Sequence, residues 1–381
     1  MRVHSSHIGL LVACAPTGDP GPVDVLVVPT ARPVAYLAEA ARLARDLRCP
    51  MLVLCSKQSR AAAAAQAMRD SGTTGVAVTV ASTPRHPLLQ LPSMRPRSWR
   101  SGPYLDVANK RNVALLVATM LRRRRLLLLD DDIPGLDADE VAGVAALTGP
   151  GGPGAVGWRV LDFPDNSVAC HARRSAGLEQ DVFIGSGALL IDLLDGVPFF
   201  PAVYNEDWLF WHDLVVERRL GLAGEARQLA FDPFDDPARA RQQEFGDVLA
   251  EGLYSLIHRG DPVAVAQVPD HWRDVLAERR DMLAVVAARV RRRGERYRRT
   301  PDGFDVERVL ASLAAATQAL ADITADDLAR FTSDWRSDLV AWSEGLRALA
   351  PAADVAEAFA RLGIGEVHVV VGQEVAEGGG R

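Results

Sequence analysis

The stretch that decides the reading is LLLLDDDI, Leu126 to Ile133. Four leucines with no polar relief form a strand that is central and buried on both faces, and three carboxylates, Asp130, Asp131 and Asp132, stand at its carboxyl end. Ligands of open α/β sheets bind outside the carboxyl ends of the strands. Side-chain direction repeats every two residues along a strand, so Asp130 and Asp132 are expected to converge and Asp131 to turn away. Two carboxylates about 5 Å apart repel by roughly 3 kcal/mol at an effective dielectric near 20. A hard divalent ion removes that repulsion and leaves positions free for phosphate oxygens. The run's other reading is a solvated acidic turn, and the leucines upstream of it weigh against that.

Outward from this run the chain alternates. Val23 to Val28 (VDVLVV) reads as a strand ending at Pro29, followed by a helical pattern through Tyr36, Leu37, Ala40, Leu43 and Leu47 and a second strand, Met51 to Cys55. Strand, helix and strand in that order imply a parallel pair with a right-handed crossover. An alanine-rich helix (Arg60 to Arg69), a strand (Val76 to Val80) and a helix (Val107 to Leu121) come next. Beyond the Gly/Pro break at Gly149 to Gly154, Ala155 to Leu161 and Ser167 to Ala172 flank the hairpin signal PDNS. Asp181 to Leu190 carries the loop signal GSG, and a helix starts after Asn205. From Asp270 to about Leu362 only helical periodicity remains, in three or four segments, before a short apolar run at Val367 to Val371. The expected organisation is an α/β unit over 1–262 and a helical extension with a short apolar tail over 263–381.

The composition, 48% hydrophobic and 24% charged, is that of an ordinary globular protein. A formal charge of -6 argues against a nucleic-acid binder, which needs a dominant basic surface. Cys14, Cys49, Cys55 and Cys170 show no CxxC spacing, which fits buried free thiols in a reducing, cytoplasmic compartment. Ile8 to Ala15 is too short for a membrane span and reads as a buried strand rather than a signal core.

LLLLDDDI resembles the DxD element of GT-A nucleotide-sugar glycosyltransferases, and other segments follow in that family's order. VVPTARP (Val27 to Pro33) resembles its first strand and nucleotide-contacting loop, and NKRNVAL (Asn109 to Leu115) the helix that approaches base and phosphates. GSGALLID (Gly185 to Asp192) and NEDWLFWHD (Asn205 to Asp213) resemble the Gly-rich acceptor loop and the "ED" helix start of inverting members. The likeness spans roughly Val23 to Gly260.

This resemblance implies a GT-A fold and a metal-dependent transfer from a UDP-, GDP- or dTDP-linked sugar to an unidentified acceptor hydroxyl. Asp207 would be the general base and Glu206 would orient the acceptor. Pro29, Thr30, Arg32, Lys110, Arg111, Asn112, Asp130 and Asp131 would contact the donor. Asp130, Asp132 and His258 would hold Mn²⁺ or Mg²⁺, and Gly185, Ser186, Gly187 and Trp208 would line the acceptor side.

Several residues also carry plainer readings. Asn205 with Glu206 and Asp207 is an ordinary helix cap with first-turn acids. Lys110 and Arg111 suit either a diphosphate or a solvated helix end. His258, at a helix C-terminus, is either a dipole partner or a ligand, with His212 the second choice. Arg289 to Arg299, seven arginines in eleven residues, is either a solvated face or a contact for an anionic acceptor, a membrane surface or an acidic partner. A homodimer is left open. The competing functions are a retaining transferase similar to glucosyl- or mannosyl-phosphoglycerate synthases, a nucleotidyltransferase and a non-catalytic scaffold. Nucleotidyltransferases usually carry a Gly-rich phosphate loop after the first strand, where this chain has PTARP.

Overall fold

The leucine run is strand β5 (Arg125–Leu129) of a nine-stranded sheet, and its side chains alternate between two separate cores. Leu126 and Leu128 face one; Leu127 and Leu129 face the other. Burial on both faces is why the run carries no polar relief, and each leucine so buried contributes roughly 1.5–3 kcal/mol. The computed structural model describes residues 6–16, 19–81, 85–95, 104–161, 167–179 and 183–371.

The other strands are β1 (Val12–Ala13), β2 (Val25–Thr30), β3 (Met51–Cys55), β4 (Gly75–Thr79), β6 (Ala155–Val160), β7 (Ala188–Asp192), β8 (Leu220–Ala226) and β9 (Val367–Val370). Their spatial order is β1-β8-β6-β7-β5-β2-β3-β4-β9. All are mutually parallel except β7 and β9. The helices are α1 (Ala38–Asp46), α2 (Ala61–Asp70), α3 (Tyr104–Met120), α4 (Ala138–Leu147), α5 (Val168–Ser175), α6 (Glu206–Phe210), α7 (His212–Val216), α8 (Pro237–Arg259), α9 (Pro269–Gly294), α10 (Val306–Ala321), α11 (Ala325–Ala348) and α12 (Val355–Arg361).

The chain runs outward through β2, β3 and β4, then α3 carries it back to place β5 on the other side of β2. The sheet therefore reverses its winding between β2 and β5, and a crevice opens at their carboxyl ends. Strand β7 is inserted antiparallel between β5 and β6, with Ala188 opposite Leu129. Its start thus lies at the same edge as the end of β5.

Two expectations along the chain are corrected. Ser167 to Ala172 is not a strand but the start of α5, because the Ser167 hydroxyl accepts from the Cys170 N–H and caps a helix; most of the PDNS turn lies outside the described residues. Ile8 to Ala15 is not one buried strand. It forms a 3₁₀ turn (Ile8–Leu10) and the two-residue edge strand β1. All four cysteines are free thiols.

The 262/263 boundary falls between helices that share a core. Trp272 of α9, Trp335 and Trp342 of α11 and Phe359 of α12 belong to the same cluster as Leu116 and Leu128. The Asp338 carboxylate of α11 accepts from the Ser93 N–H and hydroxyl at 2.7 and 2.6 Å. Strand β9 returns to extend the sheet beyond β4. No helix among the described residues is long and apolar enough to cross a membrane.

Trp342 is fully buried near Phe199, and its indole N–H donates to the Val197 carbonyl at 2.8 Å. Trp342→Ala is expected to cost about 3–5 kcal/mol in urea unfolding. Because the helices and the sheet share that core, fluorescence and circular dichroism should shift together.

Candidate functional site

Strand β5 ends at Leu129, and Asp130 to Asp132 form the turn that follows. Period-two alternation stops there: Asp131 and Asp132 converge on Arg32, while Asp130 turns to Arg111. Asp130 meets Arg111 of α3, with Nη2 donating at 2.9 and 3.2 Å. Asp131, expected to turn away, faces the loop after β2: it accepts from the Thr30 hydroxyl at 2.6 Å and from Arg32. Asp132 accepts from Arg32 Nη2 at 2.8 Å and from Gln228 Nε2 at 3.2 Å. Its carbonyl also accepts from the Leu229 N–H at 2.9 Å.

Arg111 joins this turn to the second acidic pair. Its Nη1 donates to Glu206 Oε1 at 2.6 Å, and the side chain is only 4% exposed. Asp207 is fixed by the Gly-rich loop: Oδ2 accepts from the Ser186 N–H at 2.9 Å and its hydroxyl at 3.4 Å, and Oδ1 from the Trp208 N–H at 2.8 Å. Gly187 lies between the two acidic groups. Its carbonyl accepts from the Asp130 N–H at 2.8 Å, and a Cβ there would stand 3.3 Å from Asp130 Oδ2. Tyr104, Val107, Arg111, Asp130, Ile184 to Ser186 and Tyr204 to Trp208 line one pocket.

Asn205 stands at the N-cap position of α6, with Glu206 and Asp207 in the first turn, but its side chain does not cap the helix. It sits in the left-handed region, φ 59°, makes no capping bond, and donates its amide to Asp247 Oδ1 at 3.1 Å. The remaining expected residues divide. Lys110 is buried, with Nζ donating to the Thr30 carbonyl, Ser56 Oγ and Asp106 at 2.9, 2.7 and 2.9 Å, so it ties together the ends of β2 and β3. Asn112 exchanges two 2.8 Å bonds with the main chain of Phe200. Pro29 lies within β2, paired with Leu54. His258 is held by His7, with Nε2 and Nδ1 2.9 Å apart and the rings stacked, and its pKa is lowered by burial and by His7.

Among the described residues no three His, Cys, Asp or Glu side chains are grouped as ligands for a metal ion. The all-oxygen chemistry of the acidic turn nevertheless suits a hard ion of the Mg²⁺ or Mn²⁺ type, which takes one or two carboxylates and completes its shell with phosphate and water oxygens. Tyr104, Tyr204 and Gln228 escaped the sequence reading. Tyr104 opens the helix that carries NKRN, but neither Tyr204 nor Gln228 stands in a pattern that announces it.

Burial dominates the electrostatics. It raises Asp130 to about 6, with Asp132 and Asp131 adding to the rise against Arg111. It raises Glu206 to about 8 despite the Arg111 guanidinium, and Asp207 is raised as well. With Asp207 beside it, Glu206 holds its proton to higher pH than an ordinary carboxyl does.

No family model matches the chain, and no curated protein matches it. Among solved structures it is similar to the mannosyltransferase PcManGT from Pyrobaculum calidifontis in complex with GDP-Man and Mn²⁺. That likeness covers 86% of this chain and 89% of that one at 15% identity, with a TM-score of 0.41. A likeness at this level says nothing of what this chain binds.

The raised Glu206 carboxyl sets a sign for stability against pH. The native state holds its proton more tightly than the unfolded chain, so this contribution is complete below about 4.5 and is lost as pH rises through about 8. Urea unfolding from pH 4.5 to 8 should show this decline, and Glu206→Gln should flatten it.

Proposed function

We propose that this chain is a GT-A glycosyltransferase that moves a sugar from a nucleoside-diphosphate donor to an acceptor hydroxyl with inversion. The observation that carries the reading is the buried Arg111 guanidinium, bonded at once to Asp130 and Glu206. It brings the acidic turn at the sheet's switch point and the Glu206–Asp207 pair to one pocket.

On this reading the loop Pro29 to Arg32, with Asp131, receives the nucleotide. Lys110 supports that loop from below, through the Thr30 carbonyl. Asp130 and Asp132 would hold Mn²⁺ or Mg²⁺, with phosphate and water oxygens completing the shell, and the ion would neutralise the charge gathering on the departing diphosphate. Arg32, 45% exposed, would turn from the carboxylates to the phosphates. Asp207 takes the proton from the acceptor hydroxyl as its oxygen bonds to the anomeric carbon; the bond from that carbon to the diphosphate oxygen breaks, and its electron pair leaves with the nucleotide. Ser186 and Trp208 aim the Asp207 oxygens. Glu206, held by Arg111 beside it, would orient the acceptor.

The phosphoglycerate-synthase-like alternative needs cations for an anionic acceptor. Around this pocket the described lining includes Arg111 as a cation, and both its terminal nitrogens are committed to carboxylates. That observation favours an uncharged acceptor.

Isothermal titration with UDP-, GDP- and dTDP-sugars, with and without Mn²⁺ or Mg²⁺, is expected to find one donor whose binding requires the metal. Asp132→Ala should abolish that requirement together with tight binding; no metal-dependent donor, or an unchanged Asp132→Ala variant, sinks the reading. Asp207→Asn should retain donor binding while turnover falls by about 10²–10⁴-fold, the usual range for a general base.

A further inference from the structure

We propose that Arg279, in the helical segment after the α/β region, is a positioning residue for the Glu206–Asp207 turn, acting through Asp247 and Asn205. Glu206 and Asp207 follow directly on Asn205, whose backbone is left-handed at φ 59° and ψ 35°. A residue with a Cβ is unfavourable there, although asparagine tolerates it better than most, so surrounding contacts must hold it in place.

Those contacts come from α8. The Asn205 amide donates to Asp247 Oδ1 at 3.1 Å. At the residue just before Asp247, α8 approaches so closely that a Cβ on Gly246 would stand 2.1 Å from the Tyr204 carbonyl oxygen. Only glycine permits this approach, and with it the alignment of Asp247 on Asn205.

Asp247 is itself aimed from α9. Arg279 Nη2 donates to Asp247 Oδ2 at 2.7 Å, while Nε and Nη2 grip Glu244 at 2.7 and 2.8 Å. Arg279 and Glu244 are each 1% exposed and Asp247 is 4% exposed. A buried cluster of two carboxylates and one guanidinium is a poor source of stability, because desolvation consumes most of the Coulombic gain and apolar residues of equal volume serve as well. What it supplies is direction. One Asp247 oxygen is taken by Arg279, which leaves the other pointing at Asn205.

The positional claim stands on contacts alone; its catalytic consequence rests on the transferase reading. Hydrogen exchange of the full-length protein tests the first without any activity. In Arg279→Met and in Asp247→Asn, amides of residues 205–209 should exchange about tenfold faster while those of β5 keep their protection, the mark of a local opening. Asn205→Gly, which keeps the left-handed backbone and removes only the amide, should loosen the same segment. Arg279→Lys should restore part of the protection. Unchanged exchange at 205–209 in Asp247→Asn and Asn205→Gly overturns the proposal, and these two variants decide it even if Arg279→Met does not fold. So does faster exchange spread evenly over α8 and α9.

Turnover supplies the second measurement: Arg279→Met should lower kcat by about ten- to a hundredfold with donor KM within about twofold, as a misplaced base would. A wild-type protein that turns over no donor removes the transferase reading and leaves the exchange result to judge the positioning.

Discussion

A single guanidinium holds the crevice together. Arg111 is 4% exposed on its side chain, lies 5.5 Å from the Phe200 ring centroid and spends its terminal nitrogens on Asp130 and Glu206. Burial alone would lower its pKa, and Asp130, Glu206 and Asp207 together hold it raised. Removing one partner of such a buried set leaves uncompensated charge at a cost of about 3–5 kcal/mol. The acidic turn and the Glu206–Asp207 turn, 76 residues apart in sequence numbering from Asp130 to Glu206, therefore keep their mutual position only while α3 delivers this cation between them.

That delivery follows from topology. Helix α3 is the return crossover that makes the sheet reverse its winding between β2 and β5, so its polar residues Lys110 and Arg111 stand beneath the carboxyl ends of those strands. The antiparallel insertion of β7 does the rest. A parallel strand would start at the opposite edge of the sheet; β7 starts beside the end of β5, which is why Gly187 touches Asp130 and Ser186 can hold Asp207.

What was legible in the sequence is what local pattern controls. The leucine run, the strand and helix alternation through α3, and the helical character after residue 270 all follow from apolar periodicity. At the site, the order of acidic run, NKRN, GSG and NED was readable, and the fold brings Asp130, Arg111, Ser186, Glu206 and Asp207 together. The details that failed are those that depend on where a strand stops. Asp131 faces Thr30 and Arg32 because β5 ends one residue before the aspartates, so alternation no longer applies. Lys110 and Asn112 sit in the motif beside Arg111, yet Lys110 spends its ammonium on Thr30, Ser56 and Asp106 and Asn112 its amide on the Phe200 main chain. His258 lies with His7, 251 residues away in sequence. Gln228 and Arg279 reach the site through tertiary packing that no short pattern encodes.

The two arginines at the acidic turn are not equivalent, and burial decides the difference. Arg111 is sealed against the buried Glu206 and the partly exposed Asp130, so withdrawing it would strand charge in a poorly solvated space. Arg32 bridges Asp131 and Asp132 from a side chain that is 45% exposed, with the Tyr36 ring 5.5 Å away. Water reaches its guanidinium, while the Asp131 and Asp132 carboxylates it bridges are only 5% and 8% exposed, so the contacts are screened from one side. On the transferase reading a divalent ion would replace Arg32 as the counter-charge of Asp132 from the open side of the turn. The turn thus carries one enclosed cation and one exchangeable one. Only the exchangeable one stands on the side of the loop after β2, where a diphosphate would enter.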